Sequence, residues 1–453
     1  MSTCSETKKY DIVVVGGGPG GTTAALTARI FYRDKSVLLI KNVDRPLIPC
    51  AIPYTIATID SPAKILGSYA SLKSQGIELV TDNVVDIDRG RKTVVTASGA
   101  CYEYDKLVLA TGSVPSVPPI DGADLRNVVV VSKRFEDVER MHKTLREANR
   151  VAIVGCGFIG VELADELIKL GKKVFIVEIL SHCLLLNFDE EFAVKAEEEL
   201  RKLGVTVITG RTVKRIYGSE AVEGIELDNG DRIEVDAVVI ATGHRPNTEL
   251  AKKAGLELGR YGVLVDDRMR TSDPNIFAVG DVAEKKHFLL NEPIPLMLSS
   301  IACQEARVAA ANLYRDSSIR MDGAIGVVLT RVGDLVVGCA GTTESLLKRR
   351  AVDYVVGRST AVNRHPFFLR GACSIELKLV FLNDGTLVGA EAAGYCNEVA
   401  EIINALAIAI QKKMRIEDLI ALRFGSQPTL TAAPTSNPVV LAALDALKKI
   451  QQV

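Results

Sequence analysis

Two stretches of this chain follow the same plan of apolar run, glycine cluster, helix-compatible segment and second apolar run. Residues 10–15 read Tyr-Asp-Ile-Val-Val-Val, and Gly16-Gly-Gly-Pro-Gly-Gly21 follows directly. Residues 22–31 have helix-forming composition, and Val37-Leu-Leu-Ile40 is the next apolar run. The plan returns at Val151–Val154, the turn Gly155-Cys-Gly-Phe-Ile-Gly160, a helical pattern over 161–170 stopped by Gly171, and Val174–Val177. This spacing predicts two βαβ units. Each is followed by an apolar strand ending in Ala-Thr-Gly, at Ala110-Thr111-Gly112 and at 241–243. The Pro-rich stretch 114–119 reads as a linker. Beyond Thr330 the pattern changes: strand-like runs at 335–337 and 375–381 precede a helical stretch at 397–411. A third, α+β region is expected from about residue 325.

Composition narrows the class. At about 150 residues per domain, 453 residues suggest three domains. Lys plus Arg number 55 against 56 Asp plus Glu, a net charge of −1, so the basic excess of a nucleic-acid binder is missing. No apolar run reaches the ~18–20 residues of a membrane helix; the longest candidate, 402–410, is flanked by Glu401 and Lys412. Residues 1–10 lack the apolar core of a signal peptide, and the expected location is the cytoplasm. The nine cysteines are odd in number and widely spread, which argues against a disulfide scaffold and for chemistry, if any, at a single reactive thiol.

In the first unit Gly16, Gly18 and Gly21 let the chain turn from strand to helix while a pyrophosphate approaches the backbone at the helix N-terminus. The second strand of such a unit usually ends in an acid that binds a ribose; here it ends Ile40-Lys41. Lys41 either contacts an adenosine through its backbone or ammonium, or is a surface lysine. The second unit, Gly155, Gly157 and Gly160, does end in an acid, Glu178. That carboxylate accepts from a ribose diol and repels a 2′-phosphate, which favours NADH over NADPH. Arg211 lies too far along the chain to be placed at a 2′-phosphate. A further strand, Asn275–Val279, delivers Gly280 and Asp281, a carboxylate suited to a polyol such as the ribityl chain of FAD, or an ordinary turn residue.

The order GGGPGG, LVLATG, GCGFIG, VVIATGHRPNT, IFAVGD resembles the pyridine nucleotide–disulfide oxidoreductase family over nearly the whole chain. The resemblance implies an α/β protein with two Rossmann-like dinucleotide-binding domains, for FAD and NAD, and a C-terminal α+β dimerisation domain. It divides the chain at 1–118 and 247–325 for FAD, 119–246 for NAD and 326–453 for a homodimer contact. It implies FAD held by Gly16, Gly18, Pro19, Gly21, Lys41, Pro49, Ala110, Thr111, Gly112, Gly280 and Asp281. NADH falls to Gly155, Gly157, Phe158, Ile159, Gly160, Glu162, Glu178 and Gly243, with Glu162 near the contact of nicotinamide and flavin. No metal is expected.

Two-cysteine members carry Cys-x4-Cys after the first unit and a His-Pro-Thr segment near the end. Here Arg45 stands at the first cysteine position, only Cys50 is present, and Gln427-Pro-Thr replaces the histidine segment. Pro49-Cys50-Ala-Ile-Pro-Tyr54 instead resembles the single-cysteine branch of coenzyme A disulfide reductases, NADH oxidases and peroxidases, and persulfide or polysulfide reductases. Pro19 occupies the place of the peroxidase histidine. The resemblance makes Cys50 the nucleophile, since a thiolate attacks the sulfur of R–S–S–R or R–S–SH. Cys4, Cys101, Cys183, Cys303, Cys339, Cys373 and Cys396 are expected to be inert, and Cys156 a small filler of its turn.

The substrate is read from what surrounds the thiol. Arg29 matches a basic position that coenzyme A disulfide reductases use for phosphates; a solvated helix end is the alternative. Their two partner-subunit tyrosines match Phe367-Phe368 and the Tyr-free stretch Thr431–Pro434 here. Without phenols to help a large thiolate depart, persulfide or polysulfide reduction ranks first and coenzyme A disulfide reduction second. NADH oxidation by oxygen, electron transfer to a small redox protein, and NADH sensing without turnover remain as other readings. The acceptor is expected to be a small sulfur compound. No rhodanese-like segment follows in this sequence, so sulfur delivery is expected from a separate protein.

Overall fold

In the computed structural model, residues 7–451 are described. Cys4 lies outside them. The first sheet has seven strands. Its parallel core runs Glu78–Thr81, Val37–Lys41, Thr7–Val15, Cys101–Leu109 and Ile276–Ala278. The strand that returns from residue 276 joins this sheet rather than starting another, so chain before 110 and after 270 forms one layer.

The second sheet is five-stranded and wholly parallel, in the order Thr206–Thr209, Lys173–Glu178, Arg150–Val154, Ala237–Ile240, Val128–Val130. Strands buried on both faces must be apolar throughout, which is why the runs 151–154 and 237–240 carry almost no polar side chain. The Pro-rich stretch that reads as a linker is also a structured hinge: Ser113–Pro115 pairs antiparallel with His244–Pro246, where the chain leaves and re-enters the first lobe. The third sheet holds five antiparallel strands between Val327 and Gly394, covered by the helices Glu398–Gln411 and Pro438–Ile450.

Five cysteines expected as lone thiols are bridged instead. Cys156 is bonded to Cys183 and Cys373 to Cys396, with Cα separations of 4.8 and 6.2 Å, and Cys101 is also disulfide-bonded. Tertiary proximity creates these pairs. Cys373 precedes, and Cys396 follows, two antiparallel neighbours in which Ile375 faces Gly394. Leu184 N–H donates to the Cys156 carbonyl at 2.9 Å, folding residue 183 back onto the glycine turn. Among the described residues Cys50, Cys303 and Cys339 are free.

Candidate functional site

The two glycine turns are built alike. A Cβ on Gly16 would collide with the Ala110 carbonyl oxygen, and one on Gly155 with that of Ala241. Each Ala-Thr-Gly segment therefore packs against the first glycine of its own turn. A Cβ on Gly21 or Gly160 would strike the carbonyl of that same first glycine, closing helix onto strand. Gly18 and Gly157, the helix caps, meet no atom within 4 Å. Space is thus kept where a pyrophosphate needs it, at the N-termini of Pro19–Phe31 and Phe158–Lys169.

Lys41 is not a surface lysine. It ends a fully buried strand and is 6% exposed, with its ammonium on the Val43 carbonyl, Asp44 and Thr81 and 5.2 Å from the Tyr69 ring centroid. These groups border a cleft of about 440 Å³ at the end of the strand, together with Lys73. Asp281 accepts from Ser113 Oγ at 2.7 Å and Lys133 Nζ at 2.8 Å. Burial pushes its carboxyl up, but Lys133, Ser113 and Lys285 together outweigh that and hold it below the ordinary range. Behind it, buried Glu305 accepts from Gly280 N–H at 2.7 Å and faces Lys285 at 3.5 Å; burial raises its carboxyl to about 7. Lys133, Lys285 and Glu305 carried no sequence signal, because their roles depend on a partner more than 20 residues away or on burial.

Glu178 accepts from Cys156 N–H at 2.7 Å and Leu180 N–H at 2.9 Å, so it backs the second glycine turn. Arg211, unplaceable from spacing, donates its backbone N–H to the Glu178 carbonyl at 3.1 Å. Arg211, two residues beyond the strand Thr206–Thr209, thus lies beside the Glu178 backbone.

Cys50 lies exposed on a single turn of 3₁₀ helix, Pro49–Ala51. Its Sγ is 3.2 Å from Ser299 Oγ, at the start of the helix Ser299–Ala311. Arg45 is drawn away, its guanidinium 5.0 Å from the Phe135 ring centroid. The segment after Cys50 is clamped by the helix Phe158–Lys169. Buried Glu166 accepts from Ala57 N–H at 3.1 Å, Thr58 N–H at 2.6 Å and Thr58 Oγ at 2.6 Å. One turn earlier Glu162 accepts from Thr330 Oγ at 3.2 Å and faces the Tyr54 hydroxyl. Burial raises the Glu162 carboxyl to about 7. Tyr54 and Thr330 come from outside the second sheet's domain, so all three sheets' domains meet at Glu162.

Other expected residues fall elsewhere. The Arg29 guanidinium is held by the carbonyls of Gln75, Arg33 and Lys35 at 2.9, 3.1 and 2.7 Å, where it ties down the end of the first helix. Phe367 and Phe368 are 74% and 73% exposed and pack edge-to-face at 5.9 Å. Cys303 is half-buried and accepts from Thr23 Oγ at 3.3 Å.

The sequence pattern of the pyridine nucleotide-disulphide oxidoreductases matches residues 10–306, and that of their dimerisation domain residues 328–438. The chain belongs to this family. An NADH oxidase of Methanocaldococcus jannaschii is 35% identical to it over 97% of this chain and 99% of that protein. An NAD(P)H sulfur oxidoreductase (CoA-dependent) of Pyrococcus abyssi is 31% identical over 96% and 98%. Among solved structures, an NAD-dependent persulfide reductase from A. fulgidus superposes with a TM-score of 0.89 at 31% identity, covering 97% of this chain and 84% of that one. As a member of the pyridine nucleotide-disulphide oxidoreductases, the protein is an NAD(P)H-dependent flavoprotein using FAD and NAD(H). The open cradles at Gly18 and Gly157 fit the two nucleotides. No helix of the described residues is long and apolar enough to cross a membrane.

Proposed function

We propose that the protein reduces persulfide or polysulfide sulfur with NADH, through the single thiol Cys50. One observation carries this reading: among the described residues Cys50 is the free cysteine that is exposed, with no second cysteine in its segment. The relatives named for sulfur and persulfide reduction support it.

When bound, FAD accepts the hydride of NADH and passes two electrons on to sulfur. The chain does the rest. Gly18, Pro19 and Gly21 would seat one pyrophosphate and Gly157, Phe158 and Gly160 the other, with Asp281 on the ribityl hydroxyls and Glu178 on the NADH ribose. The Cys50 thiolate attacks the sulfane sulfur of R–S–SH. A Cys50–sulfur bond forms, the S–S bond of the persulfide breaks, and RS⁻ leaves with the electron pair. Two electrons then break the new S–S bond and convert Cys50–S–SH into the thiolate and hydrosulfide. Glu162, with a carboxyl near 7, can hold or release a proton close to this segment.

A second acceptor has one supporting observation, the relative named NADH oxidase, so oxygen is the comparison to run. Anaerobic NADH oxidation should proceed on polysulfide and fall by roughly 10³-fold or more in Cys50→Ser, as expected for loss of a nucleophile, while NADH still bleaches the flavin. Polysulfide turnover by Cys50→Ser at the parent rate would remove the proposal; fast turnover on oxygen alone would replace it.

A further inference from the structure

We infer that Ser299 is a positioning residue whose hydroxyl donates to the Cys50 thiolate and holds that sulfur ionised and aimed between turnovers. The inference deepens the proposed role of Cys50 and rests on it for its catalytic meaning.

The direction of the bond follows from proton count. At 3.2 Å either atom could donate when Cys50 is a thiol. A thiolate has no proton, so in the reactive state only Ser299 can be the donor. A hydrogen bond to an ionised acceptor is stronger than one between neutral groups, so the contact favours the thiolate over the thiol.

The contact joins two separately fixed supports, 249 residues apart in the chain. Cys50 rides on a short turn bracketed by Pro49 and Pro53, with the following residues tied to Glu166. Ser299 is the first residue of a 13-residue helix packed along Pro19–Phe31, and Glu305 in that helix is pinned to Gly280. Leu298 occupies the cap position and offers no polar side chain, and the helix shows no side-chain cap hydrogen bond. Ser299 stands one place past the cap, and its hydroxyl is not spent on capping.

The ionisable groups already described on the surrounding elements have other partners. Glu162 is bonded to Thr330 and Tyr54, and Glu166 to Thr58 and Lys169. Asp281 is bonded to Ser113 and Lys133, Glu305 to Gly280 with Lys285 beside it, and Cys303 to Thr23. Hydroxyl donation from Ser299 is the interaction that the geometry supplies to Cys50 itself.

The test uses the FAD-loaded enzyme without any sulfur acceptor. A thiolate against oxidised flavin gives a long-wavelength charge-transfer band, and its rise with pH reports the ionisation of Cys50. Ser299→Ala should move that midpoint upward, so that the band weakens severalfold at a fixed pH below it. Ser299→Thr, which keeps the hydroxyl, should restore the parent midpoint. The kcat on polysulfide should drop in Ser299→Ala at low pH and recover at high pH. Flavin content and bleaching by NADH check that each variant is folded. An unmoved midpoint in Ser299→Ala, or an equal shift in Ser299→Thr, overturns the inference. Sulfur turnover that survives Cys50→Ser overturns the proposed function instead, and leaves the midpoint comparison readable.

Discussion

Glu162 shows what one buried carboxyl does to this molecule. Its proton is held more tightly in the folded chain, near 7, than at the ordinary 4.5. The folded state therefore binds more protons in that interval, and stability declines as pH rises through it and stays lower above. Glu162→Gln removes the decline: relative to the parent, its melting temperature should gain more at about pH 8 than at about pH 5, checked by calorimetry across that range. The same substitution should flatten any limb of the pH–rate profile that falls near 7. Glu178 offers a second residue-level expectation. Its removal as Glu178→Ala should raise the KM for NADH roughly tenfold, the loss of about 1.4 kcal/mol of binding. The KM for NADPH should fall at the same time, because the repelling charge is gone and Arg211 is adjacent; steady-state kinetics with both nucleotides decides it.

Among the elements, the helix Phe158–Lys169 has two duties, one at its start and one along its side. Its start is the glycine turn proposed to seat a nucleotide, legible in the sequence because Gly155, Gly157 and Gly160 obey a backbone requirement at fixed spacing. Its side carries Glu162 and Glu166 to the Cys50 segment, and that was legible only for Glu162, through family resemblance. Glu166 looks like any helical acid until the fold brings Ala57 and Thr58 to it. Glu166→Ala should cost about 2–3 kcal/mol, several hydrogen bonds to a charged acceptor being lost, and loosen the Cys50 turn; thermal melting and proteolysis within 50–60 would show it. The same distinction explains the cysteines. Chain spacing says nothing of Cys156 and Cys183, which meet only because residues 179–184 fold back, and nothing of Ser299, delivered to Cys50 from the far side of the chain. By contrast both βαβ units, the third region and the hinge prolines follow from local patterns, and the strands and helices appear where those patterns put them, with shifted ends.

Across the whole molecule, the domains are locked together by charge as well as by apolar packing. Lys378 is 1% exposed and sits within ion-pair distance of Asp189, Glu191, Glu344 and Glu391, the first two from the second sheet's domain and the others from the third. Removing a buried charge strands its partners, so Lys378→Met should destabilise the protein by about 3–5 kcal/mol and uncouple the third domain, which limited proteolysis and calorimetry would record as a split transition. On the outer face, exposed Phe367 and Phe368 belong to the region matched by the dimerisation domain. If a second copy covers them, Phe367→Asp with Phe368→Asp should lower sulfur turnover and weaken self-association in sedimentation, while flavin bleaching by NADH continues. The distribution of thiols across this architecture has a practical side. Cys339 is buried with its thiol pushed well up, Cys303 is half-hidden, and the bridged cysteines cannot react with an alkylating dye. Among the described residues, then, a bulky maleimide meets one ready target. Its rate of coupling at Cys50 would serve as a direct gauge of whether an acceptor occupies the mouth of the site, without following the reaction at all.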